Sequence, residues 1–408
     1  MKSPLIVITE NEKILSLLYH ENRLVQANAY SKQGSDLNSI FIGKVKNLVP
    51  SLDAAFVEYK PGAIGFLPWK KVKNPVITNR TYDGRLVCGD EVVVQVEREG
   101  IKNKPPGLTC NLSFTGKYSV VTTGRQGLGY SGKLSACQKA SIDQRVKEEA
   151  LKERLQQEHV GMVIRTNSGG LTDLQPLYAE MEQLLVRKRR LLQEAVHRTC
   201  FSCLYRPAPA WLVGIRDMYG YSYDKILTDN EELFGQIQEF IPEEKRLELY
   251  QDKQIPLSRL YNVKTRLEEA LAQKVWLKSG AYLIIQPTEA LTVIDVNSGK
   301  LQKKKPGDDI FYQINREAAA EIALQLKLRN ISGIIIIDFI SQESAKLNKR
   351  LLCDLTSMVN KDSVQTNVIG MTPLGLVEVT RRKINKPLKE QLDGGKGKDE
   401  ASLYGKGS

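Results

Sequence analysis

Two stretches of the chain end an apolar run on a carboxylate. Residues 290–300 read ALTVIDVNSGK, in which Asp295 is followed by Asn297, Ser298 and Gly299. Residues 333–341 read GIIIIDFIS, in which four isoleucines run into Asp338. Both runs have the β-branched content of strands. Two strand-end carboxylates with no histidine or cysteine beside them offer hard oxygen ligands, the set that suits Mg²⁺. A cation held there would lower the pKa of a water nucleophile and steady charge developing on a phosphodiester. Asn297 is two residues beyond Asp295, so in an extended chain it shares that face and can orient Asp295 or a metal-bound water. The basic run KLQKKKP (300–306) adds cations beside the Asp-x-Asn-Ser-Gly turn. The plainer reading of either aspartate is a cap on the turn that follows its strand.

The elements that must position these residues are legible around them. AYLIIQPTEALTVIDVNSG supplies two strands. DDIFYQINREAAAEIALQLKLRN supplies an amphipathic helix with Ile314, Ala318, Ile322 and Leu326 stacked four apart. ISGIIIIDFIS reads as a buried strand, a second helix covers about 343–360, and TNVIGMTPLGLVEVTRR holds further strand. The segment 273–388 is therefore α/β, and in such sheets ligands gather at the carboxyl ends of strands. Upstream, 38–112 is a series of short β runs divided by Pro and Gly, the pattern of a small barrel. Two helices then follow. The first is predicted to open at Ser141, with Gln144 completing a capping box. The second carries Leu177, Met181, Leu184, Leu185, Lys188, Leu191, Leu192 and Ala195 on one stripe. Between them GMVIRTNSGG gives a strand running into Arg165 and Thr166, whose planar guanidinium and hydroxyl could take a phosphate close to Gly169 and Gly170. A surface ion pair is the alternative for Arg165.

Composition narrows the class of partner. Lys and Arg number 59 against 47 Asp and Glu, a net charge of +12 that suits a polyanion, nucleic acid first. No apolar run is long enough to span a membrane, and the charged, alternating N-terminus reads as a strand pair. No membrane anchor and a cytoplasmic location are expected. Six cysteines in 408 residues point to reduced thiols rather than a disulfide framework. Three dispersed histidines (His20, His159, His197) argue against catalysis by a histidine pair. Cys200 and Cys203 form one C-x-x-C, half a zinc site.

FIGKVKNLVPSLDAAFVEYKPGAIGFLP resembles the ribosomal-type OB-fold that binds single-stranded RNA. EALTVIDVNSG followed by NREAAAEIALQLKLRNISGIIIIDFI resembles the catalytic core of the ribonuclease E/G family, and nearly the whole chain follows that family's order. The resemblance implies an α/β multi-subdomain protein with ribonuclease-H-like and DNase-I-like subdomains, an inserted five-stranded OB-fold RNA-binding β-barrel and a 5′-sensor region. The implied boundaries are 1–37 and 206–272 for the ribonuclease-H-like part, 38–112 for the barrel and 113–205 for the sensor. The DNase-I-like part takes 273–388, and 389–408 is expected to be a disordered tail.

The resemblance also implies roles. Asp295 and Asp338 would be catalytic ligands of Mg²⁺, with Asn297 supporting them. Phe56 and Phe66 would stack on RNA bases and Lys104 would contact the strand. Arg165 and Thr166 would read a 5′-monophosphate. An exposed barrel aromatic is a base-tolerant platform, although Phe66 by its position also suits the core. Ser131-Gly132-Lys133 stands where the family often carries Ser-Arg-Arg, which puts the strength of 5′ sensing in doubt. The Cys-Pro-x-Cys zinc link of the family's longer members does not occur within these 408 residues, so tetramer formation by that route is not expected and a homodimer stays open. Two functions are carried forward. One is a Mg²⁺-dependent endoribonuclease that cuts single-stranded RNA, favouring 5′-monophosphorylated substrates, in rRNA and tRNA processing and mRNA decay; the other is a non-catalytic single-stranded RNA-binding protein. A nuclease of duplex DNA is disfavoured by the single-strand barrel.

Overall fold

The computed structural model describes residues 3–32, 34–100, 104–148, 151–218, 223–242, 244–252, 254–299 and 307–393. The basic run at 300–306 and the tail from 394 lie outside the described residues. The chain divides into two compact units, one of residues 35–209 and one of residues 1–34 with 210–408.

In the first unit the short β runs close into a five-stranded barrel. Strands Ile40–Val49, Ala54–Lys60, Ala63–Pro68, Gly107–Thr109 and Glu91–Arg98 pair in that order, and Glu91–Arg98 returns to Ile40–Val49. Closure leaves no long unpaired edge. The interior is filled by Phe41, Val57, Leu67, Val92, Val94 and Leu108 among others. Gly65 is required where Leu108 crosses it: a β-carbon there would sit 2.5 Å from the Leu108 side chain.

A four-stranded sheet follows in the same unit, ordered Gly127–Tyr130, Gly161–Ile164, Ser119–Thr122, Ser113–Thr115. Helix Gln175–Ala195 buries Leu177, Met181, Leu184, Leu185 and Leu191 in a core shared with barrel residues Ile40, Ile42 and Val93. Lys188 lies in that stripe because its ammonium reaches the Glu158 carbonyl at 3.1 Å. The capping box is elsewhere than expected. The helix is Ala136–Glu148, so Ser141 lies inside it. The reciprocal bonds are made by Ser135 and Gln138: the Gln138 backbone N–H donates to Ser135 Oγ at 3.2 Å, and the Ser135 backbone N–H donates to Gln138 Oε1 at 2.9 Å. Both serines satisfy the S-x-x-Q pattern, and the one nearer the chain's turn is used.

The second unit holds two sheets. One is ordered Leu247–Leu249, Lys225–Thr228, Pro4–Glu10, Lys13–His20, Arg23–Ser31, with the last three antiparallel and the first two parallel to Pro4–Glu10. The other has six strands: Lys274–Trp276, Tyr282–Pro287, Leu291–Asn297, Gly333–Asp338, Leu376–Arg381 and Thr366–Met371. Among the described residues its only parallel pair is Leu291–Asn297 beside Gly333–Asp338, because the helix Asp308–Leu328 makes the crossover between them.

Helix Asp308–Leu328 is gripped from two sides. Ile314, Ala318, Ile322 and Leu326 pack on the six-stranded sheet with helix Ala345–Val359. On its other side Glu321 takes Arg23 of the five-stranded sheet at 2.5 Å, and Leu328 joins that sheet's core. Both helices cover one face of the six-stranded sheet. The Gly333–Asp338 strand is consequently half-buried, against the expectation of a buried one: Ile335 and Ile337 are sealed under the helices, while Ile334 is 50% exposed. The expected tail begins with order, since Leu388–Asp393 is a short helix with Leu388 buried.

Candidate active site

The uncovered face of the six-stranded sheet carries the acidic residues. Asp295 and Asp338 are direct partners in the parallel register. Adjacent strands lie about 4.8 Å apart and partners project to one face, so the two carboxylates stand side by side at the carboxyl ends of their strands. Asp338 is exposed and Asp295 half-buried. Asn297 follows on the same face, and its Nδ2 donates to Asp295 Oδ2 at 2.5 Å. The amide occupies one lone pair of Oδ2 and leaves Oδ1 without this bond. Two like charges on neighbouring strands repel, and a cation between them relieves that repulsion.

The donor set fits Mg²⁺, which takes one or two carboxylates and keeps water and phosphate for its other positions. Among the described residues no group of three His, Cys, Asp or Glu side chains could hold a metal. Glu378 shares the open face, opposite Ile336 and diagonal to Asp338, without completing such a group.

Several residues that the sequence reading did not single out hold this pair in place. Asn315, fully buried on the Asp308–Leu328 helix, donates through Nδ2 to the Ile340 carbonyl at 2.8 Å and accepts from the Ile340 N–H at 3.0 Å. It pins the chain two residues after Asp338. Asp308 accepts from the Ser344 N–H at 2.8 Å, holding the next turn to the same helix. The signal was present: an asparagine next to Ile314 on the apolar stripe has to satisfy its amide somewhere. Beyond Asn297, Gly299 has φ +62°, and a β-carbon there would lie 2.4 Å from the Gly280 carbonyl oxygen. Only glycine serves in that turn. Glu317 in turn accepts from the Lys278 N–H at 2.7 Å and steadies the Gly280 side.

In the other unit Phe56 and Phe66 are cross-strand partners with ring centroids 5.8 Å apart in an edge-on pair. Both project outward, half-buried, while Ala55, Val57 and Leu67 between them face the barrel interior. The alternative of a core Phe66 is thereby removed. The Phe66 N–H donates to the Pro106 carbonyl at 2.8 Å, and exposed Lys104 lies two residues before that proline. Trp69, directly after the Phe66 strand and 41% exposed, is a further outward aromatic that the sequence reading passed over.

Arg165 and Thr166 leave the Gly161–Ile164 strand at its carboxyl end. The Arg165 guanidinium donates from Nη1 to the Gly116 carbonyl at 2.5 Å and lies 3.3 Å from that of Lys117. That loop is itself held by Glu180, which accepts from the N–H groups of Lys117, Tyr118 and Ser119. Thr166 Oγ1 is 2.7 Å from Ser131 Oγ, so the Ser131-Gly132-Lys133 turn is drawn to the same place. Cys200 and Cys203 do not form a disulfide: each thiol approaches a backbone carbonyl, Ile42 at 3.9 Å and Tyr205 at 3.5 Å.

Residues 113–384 match the Ribonuclease E/G family. The chain is 31% identical to a ribonuclease E of Synechocystis over 397 residues, 94% of this chain and 57% of that protein. It is 31% identical to a ribonuclease G of Haemophilus influenzae over 410 residues, 95% of this chain and 81% of that protein. Against a ribonuclease G of Escherichia coli the identity is 31% over 384 residues, 87% of this chain and 74% of that protein. The chain thus spans little more than half the length of the cyanobacterial relative and most of the length of the other two.

Proposed function

The chain belongs to the ribonuclease E/G family, and from that premise we propose that it is a Mg²⁺-dependent endoribonuclease that cuts single-stranded RNA. The observation that carries the proposal is the register pairing of Asp295 with Asp338 on an open sheet face, with Asn297 bonded to Asp295. Asp295 and Asp338 would hold the ion, which when bound supplies an acidified water and charge neutralisation at the phosphate. Asn297, bonded to Asp295 Oδ2, would steady that carboxylate beside Asp338. Phe56 and Phe66 offer ring faces to bases on the outside of the barrel, and Lys104 offers a cation to the backbone.

The flanking sheets are read as the ribonuclease-H-like and DNase-I-like subdomains and the barrel as an OB-fold. The enzyme is assigned to rRNA and tRNA processing and mRNA decay in the cytoplasm, with a homodimer as its candidate assembly. No helix among the described residues is long and apolar enough to cross a membrane. The preference for 5′-monophosphate ends is expected to be modest, because Arg165 already serves the Gly116 and Lys117 carbonyls.

The test compares cleavage of 5′-monophosphorylated and 5′-triphosphorylated single-stranded RNA with and without Mg²⁺. Asp295→Asn and Asp338→Asn are each expected to slow cutting by about 10³-fold or more while leaving RNA binding in place, several kcal/mol of stabilisation being lost with the ion. Cutting that persists in both variants sinks the catalytic assignment. Binding without any cutting by the unaltered protein would favour the non-catalytic RNA-binding reading.

A further inference from the structure

The open face of the six-stranded sheet continues past the acid pair. In the register Asn297 partners Tyr282, which partners Trp276; Asp295 partners Ile284, which partners Lys274. Partnered residues project to one face, so Trp276, Tyr282 and Lys274 stand on the same side as Asp295, Asn297 and Asp338. Trp276 is two strand spacings from Asn297, about 10 Å at about 4.8 Å each. The Trp276 and Tyr282 rings meet edge-on with centroids 5.2 Å apart. Lys274 Nζ lies 3.9 Å from one ring centroid and 3.7 Å from the other, fixing both rings by cation–π contact.

Trp276 is 64% exposed, an unusual state for the largest apolar side chain. Its edge contact with Tyr282 leaves ring surface free. Lys274 is in contact with the ring, and Asn297 and Asp295 lie two strands further along the same face, polar surroundings that do not suit an apolar protein or lipid partner. It does suit a flat, polar-edged aromatic ligand attached to a polyanion.

We propose that Trp276, braced by Tyr282 and Lys274, is a base-stacking shelf that holds a nucleobase close to the phosphate being cut. This deepens the endoribonuclease reading and rests on it for the identity of the strand. The shelf and the acid pair belong to one rigid sheet, so stacking a base on Trp276 fixes where along the strand a phosphate meets Asp295 and Asp338. Stacking tolerates any base, so the shelf positions the strand without imposing a sequence. Lys274, in contact with both rings, would meet the phosphate of the stacked nucleotide.

The experiment places 2-aminopurine, whose fluorescence stacking quenches, at each position in turn of a 5′-monophosphorylated single-stranded RNA. Each RNA is bound to the full chain with Mg²⁺ withheld, and then Mg²⁺ is added to map the cut. One position next to the cut is expected to be quenched in the unaltered protein, unquenched in Trp276→Ala and quenched again in Trp276→Phe. Quenching attributable to the barrel aromatics should persist in all three. With Mg²⁺, Trp276→Ala is expected to cut about 10- to 100-fold less efficiently, the loss falling mainly in KM. An abasic nucleotide at the quenched position should slow the unaltered protein by a similar factor and leave Trp276→Ala unchanged. Identical quenching patterns in the unaltered protein and Trp276→Ala overturn the shelf. A Trp276-dependent quench with no cutting on Mg²⁺ addition overturns the nuclease reading and leaves the base site standing.

Discussion

Asn297 is placed to support the proposed metal site without touching the metal. Its amide donates to Asp295 at 2.5 Å, and supports of this kind typically account for 10- to 100-fold in affinity or activity. Asn297→Ala is therefore expected to lower kcat by about 10- to 100-fold with RNA affinity nearly unchanged, as measured by single-turnover cleavage beside a binding titration. A variant that weakens RNA binding alone would assign Asn297 to the strand rather than to Asp295. Asp-x-Asn spacing made the pair visible in the sequence. The bond between them needed coordinates, because alternation along a strand puts two side chains on one face without saying whether they touch.

Helix Asp308–Leu328 is the element on which the acid pair depends. It makes the crossover that renders the Asp295 and Asp338 strands parallel, and Asn315 and Asp308 tie the chain after Asp338 to it. Asn315→Ala should leave the Ile340 N–H and carbonyl without partners at a cost of about 2–3 kcal/mol. Urea unfolding would report that loss, and cleavage measured well below the transition should fall as well. Full activity in the folded variant would show that Asp338 needs no such anchor.

Another element carries a pH signature. Glu244 accepts from Arg246 through both oxygens at 2.7 Å and from the Tyr223 hydroxyl at 2.8 Å. The Arg246 guanidinium foremost, with Tyr223, pulls its carboxyl down to about 2 from an ordinary 4.5. A carboxyl depressed by folding contributes stability that is full above the unfolded value and lost as pH falls toward the folded one. Between pH 6 and pH 3 the unaltered protein should lose more stability than Glu244→Gln, read from urea midpoints at the two pH values. Equal losses would mean that this contact contributes nothing to the acid limb.

At the scale of the molecule, the +12 charge predicts that binding to single-stranded RNA is dominated by displaced counterions. The logarithm of the binding constant should fall linearly with the logarithm of salt concentration, with a slope near −0.7 for each phosphate neutralised. Replacing Lys104 with Ala should reduce the steepness by about one contact, whereas Phe56→Ala should lower affinity at every salt concentration and leave the slope as it was. A slope unmoved by Lys104→Ala removes that residue from the strand's path. Phe56 and Phe66 project outward on the barrel because its strands alternate them with inward Ala55, Val57 and Leu67.

Local patterns were enough to place the strands, the Asp308–Leu328 helix, the barrel and the carboxylates at strand ends, because period and turn chemistry are properties of short segments. Ser135 against Ser141 marks the limit of that reading: both fit one pattern, and only the path of the chain selects between them. The register that sets Asp295 beside Asp338 belongs to tertiary structure, since a strand's sequence does not say which residue of a distant strand it will face. The same holds for the open face. Helices cover one side of the six-stranded sheet, so Ile334 is exposed where its sequence reads as core, and Trp276 stands in solvent on the same open face as the acids. Residue types offered two carboxylates and outward aromatics as candidates for a metal and a strand of RNA; packing decided which face of the sheet is left open, because a strand's sequence does not say which side its helices will cover.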